Sequence, residues 1–307
     1  MSITLSTLST LRTLSTVLAL AAVPQQSLPD AVVYGQTAEV QTLIAGGADV
    51  NAPDDNGLSP LALAAMQGQT AIARLLIAAK ADVNAASSDG TTPLMRAASA
   101  NHGDTVTLLL ASGAEVQART SGGMTALMAA VTNGDVAVVR ALLGAGADAN
   151  AADAGGGVVM TYAAAAGSAE SIDLLRQRSA KATPRDLMLA ATGCYAGAVR
   201  TLLASGLTPD TAVDGNTPLL AATGENCVET VALLLDRGAD VNGRNGDGWT
   251  PLIKAASANL PDVVRVLLQH KADLDAVDRL DRTAWMYARM AGREQILAML
   301  NEAKAKP

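Results

Sequence analysis

The chain has 307 residues, enough for two ordinary domains, and half of them are apolar although only 2% are aromatic. Small and aliphatic side chains supply this apolar content, which suits helices that pack closely together. Lys and Arg number 22 against 29 Asp and Glu, so the net charge is −7. An acidic chain without a basic stripe is not expected to bind nucleic acid, because that affinity comes largely from neutralised phosphates. Polybasic attachment to a membrane is disfavoured for the same reason.

The N-terminal segment differs in composition from the rest of the chain. It carries one charge, Arg12, before an apolar run at residues 17–23. Ala19 and Ala21 are small residues where an export peptidase reads the chain, so residues 1–21, or up to 27 with a disordered lead, are predicted to be a signal peptide. The run is too short to span a membrane. We therefore expect a periplasmic or secreted protein with no membrane insertion after signal removal; a cytoplasmic protein is the alternative if the segment is not a signal.

A short motif recurs through the rest of the chain at steps of 33 residues. Its best copy is Thr250-Pro251-Leu252, and a second marker, Gly-Ala-Asp-Val-Asn-Ala or a variant of it, follows most copies. The first residues of the copies are Ser59, Thr92, Thr125, Val158, Thr217, Thr250 and Thr283. The longer interval between Val158 and Thr217 holds two shortened units. A fixed period of this length predicts a stack of repeated structural units.

Each unit can be interpreted as two helices. Thr250 is predicted to cap the first helix, with Pro251 at its first position, where a missing N–H costs nothing. Asn259 is predicted to form a left-handed turn, and a second helix follows with apolar residues at helical spacing. Gly238 is predicted to end the second helix of its unit. Because one unit cannot bury its own apolar face, the units are expected to stack into a solenoid.

These units resemble the ankyrin repeat from about Leu28 to the C-terminus, and the N-terminal segment suggests the exported bacterial type. The resemblance implies an all-α solenoid of helix-turn-helix units, joined by β-turn or hairpin fingers. Nine repeats are predicted, at residues 28–52, 53–85, 86–118, 119–151, 152–182, 183–212, 213–243, 244–276 and 277–307.

One position departs from the family pattern in every copy of the motif. The histidine that follows Thr-Pro-Leu in ankyrin repeats is replaced here by Ala62, Met95, Met128, Thr161, Leu220, Ile253 and Met286. We expect the hydrogen bond between repeats that the resemblance assigns to this histidine to be lost, with apolar packing in its place. The units between residues 155 and 212 are the most degenerate, so they are expected to bend or loosen the stack.

The sequence predicts no catalytic residue, metal site or cofactor. The only histidines, His102 and His270, lie five units apart, about 50 Å at roughly 10 Å per helix layer, so they cannot share a site. Neighbouring carboxylates such as Asp54 and Asp55 are interpreted as turn residues rather than an acid–base pair. An enzyme with a cryptic site stays a remote alternative.

Cys194 and Cys227 lie in adjacent units, each near the turn between the two helices. Equivalent positions in stacked units are about a helix layer apart, too far for a direct bond. The loops differ in length by one residue, however, and an exported chain favours a disulfide. A disulfide and two packed thiols are therefore both open alternatives.

The resemblance implies a non-enzymatic scaffold that binds a protein partner along its concave face, formed by the fingers and the first helices. A structural or protective accessory of an envelope enzyme is the alternative. A monomer is expected, and the partner's identity is unknown. Trp249 is the one bulky ring expected at a finger tip, where Trp is typical of binding hot spots; the alternative is that its indole folds back onto the neighbouring finger. The predicted partner-binding residues are Asp55, Asn56, Leu58, Asp89, Thr91, Met124, Asp214, Asn216, Asp247, Trp249 and Arg279.

Overall fold

The computed structural model describes residues 26–305, so the predicted signal peptide lies outside the described residues. Eighteen helices in this part form nine consecutive pairs, with isolated β-bridges and no sheet. The first helices of the pairs are α1 (Leu28–Val33), α3 (Pro60–Met66), α5 (Pro93–Ser99), α7 (Ala126–Asn133), α9 (Val159–Ala165), α11 (Pro184–Thr192), α13 (Pro218–Gly224), α15 (Pro251–Ser257) and α17 (Ala284–Met290). The second helices are α2 (Thr37–Ala45), α4 (Thr70–Ala78), α6 (Gly103–Ala111), α8 (Val136–Gly144), α10 (Ala169–Gln177), α12 (Ala196–Leu203), α14 (Val228–Asp236), α16 (Pro261–Gln269) and α18 (Glu294–Ala305).

The helices form two layers. Each first helix packs on the first helices of the neighbouring pairs, and each second helix packs on neighbouring second helices. The predicted all-α repeat solenoid is therefore confirmed. None of the helices within residues 26–305 has the length and apolar character needed to cross a membrane.

The cap residues explain where the first helices begin. The side-chain oxygens of Ser59, Thr92 and Thr250 each accept a backbone N–H three residues later, at 3.2–3.3 Å. Val158 cannot do this, and α9 begins without a side-chain cap. The degenerate motif at residue 158 thus retains its helix and loses the capping bond.

The turn between the two helices has left-handed backbone in every pair. Asn259 has φ 60° there, as predicted from its residue type, and Gly238 has φ 89° after the second helix of its pair. The remaining turn residues between helices are Gly35, Gly68, Asn101, Gly134, Gly167, Cys194, Asn226 and Gly292.

One position of the first helix is a fully buried alanine in all nine pairs. A methyl side chain lets two first helices approach closely, and a larger one would overpack the interface. These residues, all 0% exposed, are Ala31, Ala64, Ala97, Ala130, Ala163, Ala190, Ala222, Ala255 and Ala288.

Polar side chains connect the ends of neighbouring pairs. The side-chain oxygens of Asn51, Asn84 and Asn242 each accept a backbone N–H from the next pair at 2.8 Å, and Asp210 does so at 2.9 Å. Asn150 occupies the corresponding place but makes no such bond among the described residues. The following pair lacks the Gly-Ala-Asp-Val-Asn-Ala marker, so this series of bonds is interrupted there.

A different hydrogen bond connects the two degenerate pairs. Thr161, at the position of the family's histidine, donates its hydroxyl to the buried carboxylate of Asp186 in the next pair, at 2.8 Å. The backbone and hydroxyl of Thr183 also donate to Asp186. The expectation that every hydrogen bond from this position is lost is therefore wrong at this junction. Five of the other replacements are buried, whereas Met286 in the last described pair is 42% exposed.

The two cysteines are joined by a disulfide, with Cα atoms 5.0 Å apart. They do not occupy equivalent positions. Cys194 is the left-handed turn residue of its pair, and Cys227 lies one position later in the next pair, immediately before α14. Equivalent positions would be too far apart for a bond, but the one-residue offset brings the two cysteines within bonding distance.

The same offset produces close contacts elsewhere in the stack. The residue after the turn lies against the turn residue of the preceding pair, as His102 lies against Gly68 and Tyr195 against Gly167. A Cβ on Gly68 would be 2.5 Å from His102 Nδ1, so glycine is needed where the following ring is large. The disulfide uses this general contact.

Reduction of the Cys194–Cys227 bond should lower the free energy of unfolding. The bond closes a 33-residue separation, for which the chain-entropy model gives about 3–4 kcal/mol. Urea unfolding with and without reductant measures this change. The double variant Cys194→Ser/Cys227→Ser is the control and should not respond to reductant. Alkylation of both cysteines in the unreduced, unfolded chain would contradict the assignment.

Candidate functional site

The fingers are the polar loops that precede each first helix. In four of them the first residue is an Asp or Asn whose side chain accepts the backbone N–H four residues later, at 2.8–3.0 Å: Asp54, Asp153, Asn245 and Asp278. These side chains hold the turn, which confirms the interpretation of Asp54 as a turn residue, whereas the Asp55 side chain makes no hydrogen bond within the described residues. The finger geometry is therefore fixed by local hydrogen bonds.

The predicted partner-binding residues lie along successive fingers rather than in one cluster. Backbone bonds connect adjacent fingers, from Arg279 N to Asp247 O at 3.2 Å and from Ser121 N to Asp89 O at 2.8 Å. The half-buried members of the predicted set are Leu58, Thr91, Met124, Asn216 and Trp249. Its exposed members are Asp55, Asn56, Asp89, Asp214, Asp247 and Arg279.

Trp249 packs on the next pair instead of projecting into solvent. Its indole lies 5.1 Å from the ring of Tyr287, between centroids, with the planes tilted by 57°. The guanidinium of Arg282 lies 4.6 Å from the centroid of the same ring. Tyr287 thus contacts both Trp249 and Arg282, in a stack that combines an aromatic contact and a cation–π contact.

A buried carboxylate holds this stack in place. Asp278 accepts the Tyr287 hydroxyl at 2.6 Å and the Arg282 guanidinium at 3.1 Å. Burial acts to raise the pKa of Asp278, but hydrogen bonds from Tyr287, from the backbone of Arg282 and Leu280, and from the Arg282 side chain lower it to about 2. The carboxylate is therefore ionised at neutral pH, and its charge is matched by Arg282.

The same arrangement occurs four pairs earlier with different residues. The Tyr162 hydroxyl is hydrogen-bonded to Asp153 of its own finger and lies 3.3 Å from the Met124 sulfur of the preceding finger. The bond from Tyr162 lowers the pKa of Asp153, with a smaller effect from the backbone of Gly157. A tyrosine at this helix position therefore connects two fingers in both places.

Beside the fingers, the ends of the first helices form a second accessible strip, here called the inner row. The sequence places the first helices on the concave face but does not single out Val33, or Tyr34 directly after it, which are 40% and 71% exposed. Their place at the end of α1, matching Met66 at the end of α3, was the available signal. The inner row consists of Val33, Met66, Ser99, Thr132, Ala165, Thr192, Gly224, Ser257 and Met290.

The described chain shows no group of three or more His, Cys, Asp or Glu residues arranged to hold a metal ion. His102 Nε2 lies 3.1 Å from the Met66 carbonyl, and His270 lies near Asp236, in different parts of the stack. Asp89 has a pKa lowered to about 2 by hydrogen bonds from Ser87 and Thr91, which is a turn interaction.

A family model described as ankyrin repeats (3 copies) matches residues 28–120, 117–186, 163–245 and 241–307. The chain belongs to the ankyrin-repeat family. None of the curated proteins compared with it gives a match. Ankyrin repeats typically mediate contacts between proteins, and the fingers and inner row of this ankyrin-repeat stack are its accessible variable surfaces.

Replacing Tyr287 by Phe should raise the pKa of Asp278 towards its ordinary value of 3.8, because one hydrogen bond to the carboxylate is lost. A carboxylate with a lowered pKa in the folded state stabilises the fold above its unfolded pKa, and this contribution disappears as the pH falls through the folded pKa. The stability difference between wild type and Tyr287→Phe should therefore be full above about pH 5 and shrink towards pH 2.

Urea unfolding across this pH range and a carboxyl NMR titration measure the two effects. Tyr34→Phe is the matched control, because Tyr34 is 71% exposed and its hydroxyl has no hydrogen bond within the described residues. A loss of stability in Tyr287→Phe that is the same at every pH would show that the hydroxyl does not stabilise the ionised carboxylate.

Proposed function

We propose that this ankyrin-repeat protein is a monomeric, non-enzymatic scaffold that binds a protein partner along its fingers and inner row. The observation that carries the proposal is the Trp249–Tyr287–Arg282 stack. Trp, Tyr and Arg are the residue types most enriched at binding hot spots. Hydrogen bonds to Asp278 already order the stack, so a partner would lose little conformational entropy there.

The stack also retains hydrogen-bonding capacity. Within residues 26–305, the indole N–H of Trp249 and Nη1 of Arg282 have no hydrogen-bond partner, although Nε and Nη2 of Arg282 contact Asp278. These donors lie on the two side chains that contact Tyr287. A partner that supplies acceptors here would satisfy both donors while covering the aromatic surface.

We further propose that the protein is exported, to a periplasm or to the exterior. The Cys194–Cys227 disulfide supports this proposal, because disulfides persist in oxidising compartments and are rare in reducing ones. The small residues at Ala19 and Ala21 after an apolar run support it from the sequence. Sequencing the N-terminus of the mature protein tests it directly; an intact Met1 on the native protein would refute it.

Trp249→Ala should weaken capture of the native partner about 30-fold or more, since hot-spot truncations cost at least about 2 kcal/mol. The measurement is affinity capture from the native envelope fraction with the tagged protein, followed by titration of the captured partner. Arg282→Gln, which keeps much of the side chain but removes the charge, should also weaken capture.

Arg140→Ala is the control for this experiment. Arg140 lies on α8 in the second layer and pairs with Glu170 on α10, away from the fingers. The Arg140→Ala variant should capture as much partner as the wild-type protein does. Circular dichroism and thermal unfolding must show that each variant is folded. If the folded Trp249→Ala variant binds the partner as tightly as wild type does, the assignment of the site is wrong.

A further inference from the structure

The first two pairs form a groove, lined by apolar and polar residues in equal number, that the Trp249 stack does not reach. A cavity of about 620 Å³ lies between α1 and the finger of the second pair, with Leu28 and Val33 among its apolar lining. Val33 also belongs to the inner row, and Tyr34 beside it is the most exposed tyrosine of the described chain, at 71%. We call this surface, from Tyr34 and Val33 to the finger at residues 53–56, the N-terminal groove.

The edge of the N-terminal groove is acidic. Asp30, Asp49, Asp54 and Asp55 line the same cavity, and no basic residue does so. Residues 28–85, which form the first two repeats, contain six acidic residues and two basic ones, Arg74 and Lys80. Within the described residues, every ion pair joins residues from Arg140 onward, so none involves the first two pairs. The negative charge of the first two repeats therefore exceeds their positive charge, and neither of the two basic residues lines the groove.

The roles of these carboxylates leave their charge available to a partner. One oxygen of Asp54 accepts the backbone N–H groups of Asn56 and Leu58, its other oxygen accepts the Asn56 side-chain amide at 3.3 Å, and Asp49 accepts the backbone N–H of Asn51. Asp55 is exposed and makes no bond among the described residues. Turn hydrogen bonds thus fix the positions of two carboxylates without neutralising them.

We propose that the N-terminal groove binds a basic, amphipathic segment of the protein partner. Apolar side chains of that segment would pack on Val33 and Tyr34, and its Lys or Arg side chains would face the acidic edge. Burial of apolar surface would supply most of the affinity, and the charges would supply steering and selection against acidic segments. This inference rests on the proposed function and names the chemistry of the partner at one end of the same face.

The opposite end of the stack differs in charge. A cavity of about 680 Å³ between α16 and α18 is lined by Arg265 and Lys271 as well as by Glu302. A basic segment would meet like charges there. Charge complementarity therefore selects the N-terminal groove over this larger cavity.

Three synthetic peptides of one length test the proposal by fluorescence anisotropy with the full chain. One has Leu and Lys at amphipathic helical spacing, one has Glu in place of Lys, and one has Ser in place of Leu. The Leu/Lys peptide should bind, and its affinity should fall as salt is raised. Binding of the Leu/Glu peptide with equal affinity would overturn the proposal.

Variants then locate the binding. The double variant Asp54→Asn/Asp55→Asn should weaken binding of the Leu/Lys peptide about tenfold. Its finger should stay folded, because Asn245 shows that an asparagine holds the same turn. Tyr34→Ser should weaken it to a similar extent, and Tyr34→Phe should not. The charge-matched control is Asp104→Asn/Glu229→Gln, two exposed acids on second helices, which should bind as wild type does.

Three outcomes overturn the inference. Equal weakening in the control would show nonspecific attraction to an acidic protein. Absence of binding by all three peptides would show that the groove is closed to partners, as it would be if the chain's own N-terminal residues or a second copy filled it. Persistence of binding in the groove variants would place the peptide elsewhere. In each case, loss of native partner capture in Trp249→Ala would leave the proposed function standing.

Discussion

The close packing of one first helix on the next is the interaction on which the rest of this structure depends. A fully buried alanine at the same position in all nine first helices, such as Ala97 or Ala255, permits that approach. The helices are only six to nine residues long in most pairs and are not expected to be stable alone. Stability therefore resides in contacts between neighbours, which makes the molecule a sum of interfaces rather than a single core.

Those interfaces are not uniform along the chain. Where the period fails, around residues 152–212, the bond expected from Asn150 is absent within the described chain. The hydrogen bond from Thr161 to Asp186 and the disulfide from Cys194 to Cys227 connect the pairs of this region and the one that follows. Specific polar and covalent bonds thus support the part of the stack in which the repeated packing signals are weakest.

Stacking also determines what is left for function. Apolar helix positions are used between pairs, so the fingers and the inner row are the surfaces that the first layer leaves accessible. Turn hydrogen bonds such as those of Asp54 hold the fingers, and in two places a tyrosine connects adjacent fingers. Such a surface is ordered before a partner arrives, which lowers the entropy cost of binding. The cavity beside α1 has an acidic lining, whereas the cavity between α16 and α18, in the second layer, has a lining of mixed charge, so the two ends of the stack favour different chemistry.

The sequence by itself determined the helix pairs, their caps and the left-handed turn at Asn259, because each depends on residues within one unit. It also identified the finger carboxylates as turn residues, since that hydrogen bonding is local. Only the tertiary structure decided that Trp249 packs on Tyr287, that Cys194 meets Cys227, and that Tyr34 is exposed beside an acidic groove. Each of these depends on how one pair is placed on the next, and a repeat period does not specify where a particular side chain meets its neighbour.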